Sequence, residues 1–225
     1  MQASRLTVRK LGLVDYEVAW TAMQRFCARR HERSADEIWL LQHPPVYTIG
    51  LRGKHREYRS PANIPFVHSD RGGDMTYHGP GQLVTYVLVD LVRRGLGVKR
   101  LVQGLEQAVI DLLASHDVEA QRRAGAPGVY VMGRKVAALG LRIRRGKSYH
   151  GLALNVDMDL APFDGIDPCG FPGLQVTQLT ELGIRASVAQ ASEMLIPHLT
   201  RILDYNSCEV EADLPLVQTG SGSHG

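Results

Sequence analysis

The chain is poor in cysteine: its 225 residues hold only Cys27, Cys169 and Cys208. Three thiols cannot all pair, and Met1 to Lys10 lacks the apolar core of a secretory signal. Reduced thiols and a cytoplasmic location are therefore expected. No apolar run approaches the roughly 18 residues of a membrane span. A strong charge bias is missing too, the net charge being +3, too mild to argue for nucleic acid without a clustered patch. There is no His-Glu-x-x-His and no paired Cys-x-x-Cys. Gly146-Lys147-Ser148 resembles the end of a phosphate loop, but Gly140 lies five intervening residues back and the stretch sits between strand-like runs. No metal, cofactor, nucleic acid or membrane partner is expected.

What remains is an ordinary globular composition, 44% hydrophobic and 22% charged, with enough chain to bury one sizeable core. We expect a single domain over residues 1–218 and a flexible Gly/Ser-rich tail over 219–225. Three segments repeat apolar residues at helical spacing. Asp15 can cap a helix with Tyr16, Ala19, Trp20, Met23, Phe26 and Cys27 on one face. Val98, Leu101, Val102, Leu105, Val109, Leu112 and Leu113 form a second stripe. Ser187 and Gln190 read as a capping box before a third, which Pro197 should kink or split. Between them run strand-like segments. Glu37 to Gln42 and Val46 to Ile49 flank a His-Pro-Pro turn, and Leu83 to Leu91 is long and apolar. Val129 to Met132 and Lys135 to Arg144 form a hairpin turning at Gly133-Arg134, to which Ser148 to Val156 adds an antiparallel neighbour. Helices interspersed with hairpins point to an α+β fold with a largely antiparallel sheet rather than a doubly wound one.

Basic residues group at Arg93-Arg94, Lys99-Arg100, Arg122-Arg123 and from Arg142 to Lys147. These are either solvated faces or a docking surface for acidic partners.

Four segments carry chemistry. Arg71-Gly72-Gly73-Asp74-Met75-Thr76-Tyr77-His78-Gly79-Pro80-Gly81-Gln82 has too much glycine for a plain strand, so its backbone turns tightly or lies close to a ligand, with Arg71 and His78 as donors. In Gly128 to Gly140, Lys135 enters a strand among apolar residues, as a snorkelling strand-end lysine or as a functional amine. In Ser148 to Val156, the small Gly151 and Ala153 share a face, leaving a slot or permitting close packing. In Asp167-Pro168-Cys169-Gly170, the cysteine sits in a loop of prolines and glycines, where nothing calls for a small hydrophobe.

Together, Arg71 to Gln82, Lys135 to Gly140, Ser148 to Val156 and Gly165 to Cys169 resemble the octanoyl-(acyl carrier protein):protein octanoyltransferase family. Ala138 stands where serine is also common in that family. The resemblance implies the α+β fold of biotin and lipoate protein ligases, with a mixed sheet flanked by helices. It also implies transfer of an octanoyl or lipoyl group from acyl carrier protein to a lysine of a lipoyl domain, the first step of protein lipoylation. The acceptors would be the lipoyl domains of 2-oxoacid dehydrogenase complexes and the glycine cleavage H protein. Cys169 matches the acyl-accepting cysteine and Lys135 its activating lysine. Arg71, Gly72, Gly73, Asp74, Met75, Thr76, Tyr77, His78, Ala138, Leu139, Gly140, Gly151, Leu152 and Ala153 match stretches that line the acyl site.

The chemistry needs no ATP, because a thioester is already activated. A lysine ammonium about 4 Å from a thiol contributes up to about 4 kcal/mol toward ionising it at an effective dielectric of about 20. The lower thiol pKa also costs nucleophilicity, with a Brønsted slope of roughly 0.4–0.5. Lys135 is therefore expected to matter at least as much in taking the proton that the acceptor amine must shed. The rival readings are an ATP-dependent lipoate or biotin ligase, a non-catalytic carrier-protein-binding module, and a thioesterase.

Overall fold

A computed structural model of the chain describes residues 6–53, 64–166, 173–206 and 208–215. Cys169 and the tail from Thr219 to Gly225 lie outside the described residues.

The large sheet starts with Leu6–Leu13 (β1) and Asp36–Gln42 (β2), parallel neighbours joined by the helix Tyr16–Arg29 (α1). The Asp15 carboxylate starts that helix by accepting from the N–H groups of Glu17 and Val18, two donors that the first turn cannot satisfy internally. Tyr16, Ala19, Met23 and Cys27 are its buried face; Trp20 and Phe26 pack half-buried at its margin.

Gln82–Leu88 (β6) pairs antiparallel with β2, and Lys147–Asn155 (β10) with β6. The strand β6 is shorter than the apolar run suggested, because the chain leaves it after Leu88 and returns only as a single bridge from Asp90 to Lys147. Arg134–Arg144 (β9) pairs with β10, Gly128–Val131 (β8) with β9, and Gln121–Arg122 (β7) with β8. Glu209–Glu211 (β11) closes the other edge, parallel to β1. Among the described residues the order is β11-β1-β2-β6-β10-β9-β8-β7. The sheet is mixed, parallel only where β1 meets its two neighbours.

Two hairpins order the β8 to β10 meander. Their turn residues, Met132-Gly133 and Arg145-Gly146, all have positive φ, which matches the twist of the strands they join. The first turn therefore sits one residue before the expected Gly133-Arg134, and Arg134 opens β9 instead.

Val46–Ile49 (β3) belongs to a second sheet, with Phe66–His68 (β4) parallel and Met75–His78 (β5) antiparallel to it. The His-Pro-Pro turn thus carries the chain from one sheet to the other.

Helices Val98–Ala114 (α2) and Val188–Ile202 (α3) cover one face of the large sheet, and α1 covers the other. Leu105, Val109, Leu112, Leu195 and Leu199 are fully buried between α2, α3 and the sheet, so truncating one of these leucines to alanine should cost about 2–5 kcal/mol. The Ser187–Gln190 capping box forms in both directions. Pro197 does not split α3. It lies on the exposed side, in line with the exposed Glu193 whose carbonyl loses its donor, so water can serve that group and the helix runs on.

Candidate active site

The strand β8 pairs with β9 only between Arg134 and Ala138, whereas β9 runs on to Arg144. Where β9 outruns its neighbour, the edge is met by the Arg71–Gly73 segment, whose Gly72 N–H donates to the Leu141 carbonyl at 2.9 Å. A cavity of about 900 Å³ opens at this place. Its walls are the middle of β9, the start of β10's pairing with β6, the Arg71–Gly73 segment, part of β5, the first turns of α2 and residues 122–127.

Eleven of the fourteen residues assigned by resemblance to the acyl site lie on this wall: Arg71, Gly72, Gly73, Thr76, His78, Ala138, Leu139, Gly140, Gly151, Leu152 and Ala153. Strand alternation removes two others. Thr76 and His78 face the cavity, so Met75 and Tyr77 point to the opposite face of β5 and join the small-sheet core with Tyr47 and Phe163. Asp74 is buried and its carboxylate accepts the Met75 N–H at 2.8 Å.

Gly151 shows both readings of the small-residue face at once. A β-carbon there would stand 2.0 Å from the Thr85 carbonyl oxygen, so close strand packing demands glycine while the residue also lines the cavity.

The donors of Arg71 and His78 point into the protein. Arg71 Nε donates to Thr48 Oγ1 at 3.0 Å, Nη2 to the Thr48 carbonyl at 2.6 Å and Nη1 to the Gly72 carbonyl at 2.9 Å. The Gln82 amide donates to the Tyr77 carbonyl and to Asn155 Oδ1, which leaves its oxygen to accept from His78 Nδ1 at 2.7 Å. Asn155 donates in turn to the Thr177 carbonyl. This chain of bonds sets the shape of the wall.

Around Tyr16 and the assigned His78 gather His43 and His150, which sequence reasoning did not assign to the site. The ring of Tyr16 is stacked with His78 and with His150, at 6.0 and 6.5 Å, with His43 edge-on at 5.2 Å. His150 Nε2 donates to Asp70 Oδ1 at 3.0 Å, and Trp20 and the Tyr149 hydroxyl also donate to that carboxylate. Burial raises the Asp70 pKa, but these donors outweigh it and hold the carboxyl well below its usual range. Burial pushes all three imidazoles down: His43 to about 4, His78 further helped by His43 and Arg71, and His150 in spite of Asp70. They are neutral at pH 7. His150 also holds a left-handed backbone, φ 58, beside Gly151, where the pairing of β10 with β6 ends. Tyr16 had a sequence signal, but only as part of a buried helix face. Val98 and Val102, read as core stripe, turn out to line the cavity, Val98 being 46% exposed.

Lys135 is 2% exposed. Its ammonium donates to the Pro127 carbonyl at 3.3 Å and lies 5.2 Å from the centre of the Tyr130 ring. Pro127 lines the cavity, while Lys135 stands behind it. The Lys135 N–H donates to the Gln175 carbonyl and its own carbonyl accepts from Thr177, both at 2.9 Å. Gln175 follows Cys169 by six positions in the chain, so the described chain just beyond the cysteine is fastened to the strand residue that carries the lysine.

Two of the four basic groups reach the cavity. Lys99, Arg122 and Arg123, with Arg52, are exposed and line it. Arg93 pairs with the buried Asp36 and Arg94 donates to the carbonyls of Leu203 and Asp204, so that pair has structural work.

The fold and the cavity define a class. Residues 15–200 match the family described as lipoyl protein ligase A/B catalytic domain. In fold the chain is similar to a lipoate-protein ligase A bound with ATP, with a TM-score of 0.76 at 14% identity, over 96% of this chain and 90% of that one. It is also similar to a biotin protein ligase from Aquifex aeolicus in complex with biotin and ATP, with a TM-score of 0.57 at 14% identity, over 88% and 70% of the two chains. Within that class its sequence is 60% identical over 198 residues to an octanoyltransferase of Thiobacillus denitrificans, covering 88% of this chain and 91% of the relative. It is 55% identical over 205 residues to one of Laribacter hongkongensis, covering 91% and 99%. The chain belongs to the octanoyltransferases, a family of acyltransferases.

Proposed function

We propose that this chain moves an octanoyl or lipoyl group from acyl carrier protein to a lysine of a lipoyl domain, through a thioester on Cys169. Lys135 carries the reading: a buried lysine, tied through its backbone to Gln175 six positions beyond Cys169, whose ammonium bonds to the carbonyl of Pro127 in the wall of a cavity lined in part by glycine, alanine and leucine. The acceptors are the lipoyl domains of 2-oxoacid dehydrogenase complexes and the glycine cleavage H protein.

In the first half-reaction the Cys169 sulfur bonds to the acyl carbon, the bond from that carbon to the carrier's sulfur breaks, and the carrier leaves as a thiol with the proton Cys169 gave up. In the second, the acceptor amine bonds to the acyl carbon and the bond from that carbon to the Cys169 sulfur breaks. The Lys135 ammonium gives a proton to the departing sulfur and, so freed, takes in its place the surplus proton of the amine. The exposed cations around the cavity suit an acidic carrier by raising the encounter rate.

The test is to mix octanoyl-carrier protein with a lipoyl domain, without ATP, and to follow both proteins by intact mass spectrometry. Octanoylated domain should form, along with a hydroxylamine-labile adduct on the enzyme that is missing from Cys169→Ala. A requirement for ATP, or an adduct that persists in Cys169→Ala, overturns the reading. Lys135→Met should slow transfer to the amine.

A further inference from the structure

Glu106 belongs to the buried stripe of α2, beside Leu105 and Ala108, and is 5% exposed. A carboxylate in that setting carries a desolvation cost that only specific partners offset. Its partners among the described residues are two. Oε1 accepts the backbone N–H of Gly128 at 3.0 Å, and Oε2 accepts from Arg122 Nε at 3.1 Å. Arg122 is itself anchored to α2, donating to the Gln103 carbonyl at 2.9 Å and to Gln107 Oε1 at 2.6 Å.

Gly128 is the neighbour of Pro127, whose carbonyl accepts from the Lys135 ammonium. Its contact with the lysine is close. At φ +147, a β-carbon on Gly128 would lie 2.7 Å from the Ala137 carbonyl oxygen and 3.0 Å from Lys135 Cε. On the other side of Pro127, the Ala126 carbonyl accepts from the Tyr130 hydroxyl at 2.9 Å, and the ring of that tyrosine flanks the same ammonium. Each of Ala126, Pro127 and Gly128 thus has a backbone group bonded to a side chain. Two of those side chains are Lys135 and Tyr130; the third is Glu106, reaching across from α2.

We propose that Glu106 is a positioning residue for Lys135: by holding the Gly128 N–H it fixes the Pro127 carbonyl, and through it the place of the lysine ammonium. The catalytic consequence rests on Lys135 being the proton carrier; the positional consequence does not. A charge-assisted bond to a backbone N–H holds more firmly than a neutral one, and misplacement of a catalytic group by about 1 Å can cost about 100-fold in rate.

The experiment uses the full chain with Glu106→Ala, Glu106→Gln and Gly128→Ala, each first shown to be folded by circular dichroism. Competitive labelling with acetic anhydride across pH, read by peptide mass spectrometry against Lys10, Lys99 and Lys147, reports the environment of Lys135 without reference to catalysis. Single-turnover transfer from octanoyl-carrier protein to a lipoyl domain reports the consequence. Glu106→Ala should change the Lys135 labelling rate, and slow transfer by about 10- to 100-fold. Glu106→Gln keeps an acceptor for Gly128 and should restore both to within about threefold, while Gly128→Ala should reproduce the Glu106→Ala pattern. A folded Glu106→Ala protein with an unchanged Lys135 labelling profile overturns the proposal, and so does a Glu106→Gln variant as impaired as the alanine. Altered labelling combined with unimpaired transfer in Lys135→Met supports the positioning role and overturns the proton-carrier reading.

Discussion

Acid should destabilise this protein in two successive pH windows, and His43 lets the first be worked out. Its side chain has no exposed surface. Nδ1 faces the Val14 carbonyl at 2.6 Å, a group that only accepts, so Nδ1 carries the hydrogen; Nε2 therefore accepts from the Tyr86 hydroxyl at 2.7 Å. A second proton would remove that acceptor and place a charge among Tyr16, His78 and Tyr86. Burial lowers the pKa from 6.5 to about 4. The unfolded chain takes up the proton near pH 6.5 and the folded one only near pH 4. The contribution to stability is thus complete above pH 6.5 and lost as the pH falls toward 4. At 1.36 kcal/mol per pKa unit that is about 3 kcal/mol, with a limiting slope of about 1.4 kcal/mol per pH unit. His78 and His150 shift in the same direction and add to it. Below pH 4 the lowered carboxyl of Asp70 takes over, its stabilisation being lost only as it protonates. Urea unfolding followed by circular dichroism, at half-unit steps from pH 7.5 to 4, measures the slope. His43→Gln should be less stable at pH 7 but flatter across the window. Parallel curves for the two proteins, or stability that rises on acidification between pH 6.5 and 4, refute the reasoning.

Two further outcomes follow from packing. Gly151→Ala drives a β-carbon to within 2.0 Å of the Thr85 carbonyl oxygen, so β10 and β6 must part, at a cost of about 3 kcal/mol in urea unfolding; a loss under about 0.5 kcal/mol contradicts the strand geometry. Burial pushes the Cys27 thiol up to about 11, which leaves on the order of one molecule in a thousand ionised at pH 8. Native protein treated with a disulfide reagent at pH 8 should therefore keep Cys27 unmodified until urea is added, and rapid labelling of Cys27 in the folded state contradicts its burial.

Much of the fold was legible because its signals are local. Asp15 and the Ser187–Gln190 box cap helices through bonds to residues two and three positions away, so a short window of sequence contains the whole interaction. The β8 to β10 meander was readable for the same reason, and its one-residue error at Met132-Gly133 arose because a methionine with positive φ leaves no compositional mark. That Pro197 leaves α3 unsplit was not legible, because a proline's effect on a helix depends on which side of it meets water, and that is decided by what α3 packs against.

The site divides along the same line. The glycine-rich strings, the lysine one residue into β9 and the cysteine flanked by proline and glycine are written in residue order, and they sufficed to point to the octanoyltransferase family and, among the described residues, to three segments that meet at the cavity. Which face of β5 looks into it, why Arg71 and His78 turn their donors inward, and that Tyr16, His150 and Asp70 gather beside it were not. Nor was Glu106 readable as a partner of Gly128, for it passed unremarked in the apolar stripe of α2. The Glu106–Gly128, Arg71–Thr48 and His150–Asp70 bonds join residues from 22 to 80 positions apart, and burial and hydrogen bonding between such residues depend on the path of the whole chain. The sequence by itself determined which chemical groups this protein owns and which short elements carry them. The tertiary structure decided which of those groups are neutral, which are already paired, and which reach the cavity, because desolvation and partner geometry do not exist until distant segments have packed together.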